Sequence, residues 1–308
     1  MVGLGSFGRH HVRHYAANPR CSLVAVADLD PERRAAAVDL SGAAAYVDYR
    51  DLLGKVDAVA VTVPATFHYE VAAFFIDAGV HVFVEKPITP DSAAARDLIA
   101  RADRSGVILQ VGHIERYSPA VDELRARVTD PRRISCLRRA KWHGRSVDVD
   151  VILDMMIHDI DLVLTLANAP LVSVAASGAA VMSGLVDEAE AWLTFGDGLI
   201  ATISVSRVAE TQERKLTITE PDIAYSADLG IPSLSILSRR TPGAAPVSIE
   251  LPARDNLGAE VDTFLKCIAA GTTPEVDGLA GLAALEVAER IQGAIRDAAA
   301  PRQMEQVN

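Results

Sequence analysis

The 308-residue chain is short of cysteine, aromatic residues and positive charge, and it has no long apolar run. Each shortage narrows what it can be. Three cysteines, Cys21, Cys136 and Cys267, are odd in number and far apart. They form neither a disulfide framework nor the paired spacing of a zinc site, so a reducing compartment fits and no metal centre is expected. No window reaches the roughly 18 uninterrupted apolar residues of a membrane span, and no basic-then-apolar leader precedes the first motif. The expectation is a cytoplasmic protein with no membrane partner. With 30 Lys and Arg against 41 Asp and Glu, the net charge is -11. A phosphate backbone demands a basic face, so no nucleic-acid partner is expected either. What the chain does have is 50% hydrophobic residues, enough to fill two ordinary domain cores.

Up to about residue 112, short apolar runs alternate with helical patterns. SLVAVAD (22–28), VDAVAVTVP (56–64), VHVFVE (80–85) and VILQVG (107–112) are apolar at consecutive positions. Strands read this way when a parallel sheet buries both their faces. Between them lie the helical stretches FGRHHVRHYAAN, PERRAAAVDL, TFHYEVAAFFIDAG and TPDSAAARDLIARADRSG, the last starting at Thr89-Pro90-Asp91 and stopping at Gly106. The alternation predicts an α/β fold, a doubly wound parallel sheet over residues 1–113. Residues 114–308 read differently. Helices are expected over 119–128 and from about 150 to 167, with a strand between them ending at Leu137. A β-rich tract then runs to about 251, and helices over about 257–270 and 278–299 close the chain. Alternation in AEAWLTF, LIATISVSR and RKLTITE predicts a C-terminal α+β domain on a mostly antiparallel sheet with one face covered.

The glycines of GLGSFG, Gly3, Gly5 and Gly8, have the G-x-G-x-x-G spacing of a Rossmann dinucleotide loop, with Ser6 and Phe7 inside it. The first glycine allows the tight turn, the second lets backbone approach the pyrophosphate, and the third lets helix pack on strand. Asp28 ends the next strand twenty residues past Gly8, placed to accept from the adenosine ribose hydroxyls. A carboxylate there repels a 2′-phosphate, which favours NAD over NADP. The plainer alternative is that Asp28 opens a turn with Asp30 and Pro31. Only Met1 and Val2 precede the loop, where a strand of five or six residues is usual. The expectation is that Met1 begins inside that strand and that about four to six further residues belong upstream.

Two stretches add chemistry. Glu85, Lys86 and Pro87 lie at the carboxyl end of an apolar strand, where doubly wound sheets collect ligands. In ILDMMIHDIDL, Asp154, His158 and Asp161 fall at i, i+4 and i+7 on one stripe of an expected helix, with Asp159 on another face. A carboxylate one turn from a histidine fixes its tautomer and raises its basicity, as a general base requires. A hydrogen-bonded core histidine is the alternative. RRISCLRRAKWHGR (132–145) gathers six basic side chains and His143, either as counter-charges for an anion or as a solvated strand face.

Together GLGSFG, VPATFH (63–68), EKP and DMMIHDID resemble the Gfo/Idh/MocA family of NAD(P)-dependent sugar and cyclitol dehydrogenases over essentially the whole chain. The resemblance implies catalytic roles for Lys86, Asp154 and His158, cofactor contacts from Pro64, His68, Glu85 and Lys86, and a cis Lys86–Pro87 bond. It also implies a homodimer or homotetramer formed through the open face of the C-terminal sheet. QVGHIERYSPAV (110–121), DVDVILDMMIHDIDLVL (148–164) and ISVSRVAETQERKLTI (203–218) resemble the branch that contains UDP-N-acetylglucosamine 3-dehydrogenases. That implies a nucleotide-sugar substrate, oxidised to a ketone at C3 for 3-amino-sugar biosynthesis, with His113, Arg116, Tyr117, Arg139, Asp161 and Arg207 as candidate substrate residues. Inositol, glucose and UDP-glucuronate derivatives are the neighbouring substrates within the family. A non-catalytic NAD-dependent sensor is the alternative of another class.

Overall fold

The computed structural model describes residues 1–144, 148–241 and 243–299. They form two compact units, Met1–Glu123 with Leu251–Leu285, and Leu124–Glu250 with the residues from Glu286 on.

The first unit is built on five short parallel strands, β1 (Ala25–Ala27), β2 (Ala44–Tyr46), β3 (Ala58–Val61), β4 (His81–Glu85) and β5 (Leu109–Gly112). Met1–Gly3 joins the two halves. Val2 bridges Ala27 on one side and Val61 on the other, both in parallel. Four backbone bonds hold it there: Val2 N–H to Ala60 O (2.9 Å), Thr62 N–H to Val2 O (2.8 Å), Gly3 N–H to Ala27 O (2.9 Å) and Ala27 N–H to Met1 O (2.8 Å). The resulting order, β2-β1-Val2-β3-β4-β5, is the doubly wound one with Val2 at its topological centre. Helices α1 (Ser6–Ala17), α2 (Pro31–Ser41), α3 (His68–Asp77) and α4 (Ser92–Ser105) connect the strands. Asp30 caps α2 through the N–H groups of Glu32 and Arg33, Asp91 caps α4 through Ala94, and Gly42 and Gly106 end these two helices in the left-handed region. Strand β2 has no counterpart in the sequence reading. Its three residues, Ala-Ala-Tyr, are too short and too exposed to show the buried-strand pattern.

A boundary near residue 113 does not anticipate the return of residues 251–285 to this unit. The cause is helix packing. After α5 (Pro119–Arg127) and α6 (Ile157–Leu166), helix α7 (Asn256–Ala270) carries Leu257, Val261 and Phe264 on one stripe. That stripe packs into the core of Met1, Leu4, Val12, Val26 and Phe83. Full burial of side chains of this size stabilises by roughly 1.5–3 kcal/mol each. The last helix, α8, spans Gly278–Ala299.

The second unit carries an eight-stranded sheet in the order β13-β12-β11-β10-β6-β9-β8-β7. Its strands are β6 (Arg133–Arg139), β7 (Leu171–Ala179), β8 (Glu188–Phe195), β9 (Ile200–Ser206), β10 (Glu213–Thr219), β11 (Ile223–Asp228), β12 (Ser233–Ser238) and β13 (Val247–Ile249). All neighbours run antiparallel except β6 and β9. On β8, Ala189, Ala191, Leu193 and Phe195 are buried while Glu188, Glu190 and Trp192 are exposed, the alternation of a sheet covered on one face. The expected helix from residue 150 is not uniformly α. Ile152–Met156 forms a π-helical turn in which Ile157 N–H bonds Ile152 O, and α6 follows. Among the described residues, no helix is long and apolar enough to cross a membrane.

Candidate active site

Each glycine of the first loop has a distinct steric reason. Gly3 sits at φ +87°, and a Cβ there would lie 2.6 Å from Val63 N and 2.7 Å from the Thr62 carbonyl. A Cβ on Gly8 would collide with Gly3 O and approach Thr62 Oγ1 to 2.7 Å. Gly5 has nothing within 4 Å of such an atom. The first and third glycines are therefore filled by protein, and the middle one faces open space. No side chain caps α1, whose N-cap is Gly5. A backbone that opens toward solvent at a helix N-terminus fits a dinucleotide pyrophosphate. Ser6 and Phe7 are exposed beside it.

Asp28 holds this loop in shape. Its Oδ2 accepts Leu4 N–H at 2.6 Å and its Oδ1 accepts Asp30 N–H at 2.8 Å. The turn role is thus present, and each carboxylate oxygen retains a second acceptor site for a ribose hydroxyl. Arg33 Nη1 lies 4.0 Å from Oδ2, and Arg34 Nη1 donates to Asp28 O at 2.7 Å.

The EKP segment ends β4. The Lys86–Pro87 bond is cis, in agreement with the family resemblance. Lys86 is half-buried and Glu85 is buried, with Glu85 Oε1 2.8 Å from His11 Nε2. Gly112 pairs with Glu85 across the sheet, and a Cβ on it would lie 2.9 Å from the carboxyl carbon. Only glycine leaves Glu85 its room. His68 is buried, with Nδ1 2.7 Å from Pro87 O and Nε2 2.9 Å from Val63 O. It ties the loop after β3 to the loop after β4. Burial holds its imidazole below the usual range, against the pull of the two carbonyls. Pro64 is exposed at the start of the same loop.

In the second unit the π turn carries Asp154. Asp150 Oδ1 accepts the N–H groups of Ile152 and Leu153, each at 3.1 Å, and starts the turn. A π turn shifts the register of side chains that follow, so Asp154, His158 and Asp161 do not share the simple α stripe. Asp154 and His158 are both half-buried, whereas Asp161 is sealed inside. Asp159 forms a buried two-pronged ion pair with Arg138, Nε to Oδ2 at 2.8 Å and Nη2 to Oδ1 at 2.9 Å. Arg207 is also buried. Its Nε donates to Asp187 Oδ1 at 2.9 Å, Nη1 to Val149 O at 2.9 Å and Nη2 to Ser183 Oγ at 2.9 Å, while Nη1 lies 4.0 Å from Asp154 Oδ2. Burial would raise the Asp187 carboxyl. Hydrogen bonds from the Ser183 hydroxyl and the N–H groups of Ser183, Met182 and Val181 outweigh it and hold the group below the carboxylate range.

The remaining candidates scatter. In the first unit, His113 and Tyr117 are buried and Arg116 is half-buried. Arg139 is exposed and lines a cavity of about 810 Å³ on the second unit's sheet, with Ser177, Glu188, Glu190 and Ser204. Arg145 of the basic tract lies outside the described residues. Sequence reasoning also passed over His11, Asp187 and Glu260. His11 had a visible signal, a polar residue on the buried face of α1 three positions after Gly8.

Residues 1–113 match the family model of an oxidoreductase family with an NAD-binding Rossmann fold, and residues 120–220 match a Gfo/Idh/MocA C-terminal domain. The chain is 37% identical over 302 residues, 96% of each protein, to the UDP-N-acetylglucosamine 3-dehydrogenase of Acidithiobacillus ferrooxidans. A solved structure of that enzyme, GnnA, superposes with a TM-score of 0.90 at 36% identity, covering 96% of both chains. The inositol 2-dehydrogenase of Rhizobium meliloti is 27% identical over 341 aligned positions, 99% of this chain and 97% of that one. The WlbA dehydrogenase of Bordetella pertussis, solved with NADH and UDP-GlcNAcA, shares the fold with a TM-score of 0.84 at 21% identity, covering 96% of this chain and 94% of that one.

Proposed function

This chain belongs to the Gfo/Idh/MocA family of NAD-dependent oxidoreductases, and from that premise we propose that it oxidises the C3 hydroxyl of UDP-N-acetylglucosamine to a ketone. The observation that carries the reading is end-to-end similarity to an enzyme of that name at 37% identity. The position of Lys86 at a strand end and of Asp154 and His158 on a π turn and the helix after it supports it.

NAD, when bound, would supply the acceptor for the hydride of the sugar carbon. The residues supply binding and proton handling. The Gly3–Gly8 loop would hold the pyrophosphate on its open backbone, and Asp28 would take the ribose hydroxyls. His158 takes the hydroxyl proton on a ring nitrogen as the carbonyl forms, and Asp154 orients the imidazole and stabilises its cation. Lys86 donates a hydrogen bond to the same oxygen and stabilises its developing negative charge. Arg207 is buried, which keeps it from a diphosphate, and it holds Asp154 in place with Nη1 4.0 Å from Asp154 Oδ2.

Purified protein mixed with NAD and separate nucleotide sugars is expected to generate NADH absorbance with UDP-N-acetylglucosamine and to lose about 10²- to 10⁴-fold in kcat on His158→Ala. Near-normal turnover in that variant would remove His158 from the mechanism. Strong activity on myo-inositol with none on nucleotide sugars would replace the substrate.

A further inference from the structure

Glu260, on α7, is fully buried, and neither of its carboxyl oxygens has a hydrogen-bond partner among the described residues. It sits among buried polar groups inside the first unit. His11 and Tyr15 face it from α1, Glu85 from the end of β4, Gln110 from β5 and Tyr117 from the turn after β5. Glu275 and Cys267 also act electrostatically on Tyr117, and Cys21 on Tyr15. One ring nitrogen of His11 and one carboxyl oxygen each of Glu85 and Glu260 all lie within 4.8 Å of one another. His11 Nε2 is hydrogen-bonded to Glu85 at 2.8 Å, and Gln110 Nε2 donates to the backbone of Glu260 at 3.1 Å. His11 Nδ1, Tyr15 Oη, Tyr117 Oη and Gln110 Oε1 are buried without a hydrogen-bond partner among the described residues.

Charge balance decides what such a cluster holds. Two buried carboxyl groups face a single imidazole, which can balance one negative charge at most. A second buried anion with no donor is far more costly than a neutral acid. Burial and the adjacent Glu85 both push the Glu260 carboxyl upward, in keeping with the geometry. Imidazole and carboxylate also suit a divalent cation, but the 2.8 Å contact between His11 and Glu85 is a hydrogen bond and already engages two of the three candidate ligands with each other.

We propose that Glu260 is a positioning residue for the dehydrogenation: a neutral carboxyl packed against the His11–Glu85 pair that adds no charge beside it and so fixes the strand end presenting Lys86. The link is short. Glu85 precedes Lys86 directly, its carboxyl is pressed against Gly112, and His68 anchors the following Pro87 carbonyl. A second charge at Glu260 would repel Glu85 and shift the backbone that carries the lysine. The inference rests on the role given to Lys86 above.

The test compares Glu260→Gln, a neutral isostere, with Glu260→Ala in the full chain, well below the melting temperature of either. The glutamine variant is expected to keep near-normal kcat. The alanine variant should lose on the order of 10²-fold in kcat, the scale of a small misplacement of a catalytic group, with KM for both substrates little changed. Equal damage in the two variants, or a stoichiometric divalent metal in the wild type that is lost from Glu260→Gln, would overturn the proposal. Thermal stability against pH gives a readout independent of activity. Wild type should lose stability relative to Glu260→Gln as pH rises, and coincident curves would also overturn the proposal. Normal turnover in Lys86→Ala would instead remove the catalytic reading of Lys86, while the stability curves would still report the Glu260 proton.

Discussion

Asp187 and Glu260 are both buried carboxyl groups, one in each unit, and their surroundings treat them in opposite ways. Asp187 accepts three backbone N–H groups from 181–183, the Ser183 hydroxyl and the Arg207 guanidinium. Glu260 meets another carboxyl and accepts from no donor among the described residues. Burial is common to the two, so the supply of donors sets the charge. A carboxylate surrounded by N–H groups stays ionised and orders a loop, whereas one beside a second acid keeps its proton.

The largest expected effect follows from breaking the fully supplied site. Asp187→Asn breaks the closer of the two carboxylate contacts to Arg207, leaving the buried guanidinium only Asp154 at 4.0 Å, and should destabilise by about 3–5 kcal/mol. Chemical denaturation of wild type and variant measures it. A loss below 1 kcal/mol would mean that Arg207 relaxes into solvent. The same variant should lower kcat through Asp154, which stands 4.0 Å from Arg207.

The next effect is smaller and differs in sign between the two groups. The folded-state pKa of Asp187 is depressed below its ordinary 3.8, so the unfolded chain binds more protons and its stabilisation is lost as pH falls below that value. The folded-state pKa of Glu260 is raised above its ordinary 4.5, so the folded chain binds more protons and stability is lost as pH rises above that value. Each group contributes a limiting slope of about 1.4 kcal/mol per pH unit inside its own window. Urea midpoints measured across pH should therefore lose their acid limb in Asp187→Asn and flatten on the alkaline side in Glu260→Gln. If both variants altered the same limb, the contrast between the two sites would collapse.

The same contrast explains what was legible in the sequence. The glycine loop, the strand-end EKP and the alternation of β8 are local patterns with one physical cause each, and the structure realises all three. The parallel, doubly wound class of the first sheet also follows from the alternation of strands and helices. Strand β2 escaped because three half-exposed residues carry no periodicity. The π turn at Ile152–Met156 escaped because its hydrogen-bond register leaves no trace in residue types. The partners of Arg207 and Glu260 escaped for a different reason. Arg207 meets Asp187 from twenty residues away, and Glu85 and Glu260 come from the two separate chain segments of the first unit. Basic residues near a strand end suggested anion binding, and only the fold shows that Asp187 and Asp159 already engage Arg207 and Arg138.

The smallest expected effect uses a third carboxyl, Asp262, two residues from Glu260 on the same helix. It is flanked by Lys266 Nζ at 2.6 Å and Arg20 Nε at 2.7 Å, two cations where Glu260 has none. Hydrogen bonding from Lys266 lowers its carboxyl, opposed by partial burial. By partner count it should matter more than Glu260, yet its side chain is 31% exposed and both cations are about half exposed. Water and salt compete for every one of these contacts, and long side chains lose rotamer freedom in making them. Arg20→Ala should therefore change stability by only about 0.2–1 kcal/mol, and less in 1 M salt, by the same denaturation measurement. A loss of several kcal/mol would show that partner number outweighs exposure, and the explanation of Asp187 and Glu260 by donor supply inside a dry site would have to be rebuilt.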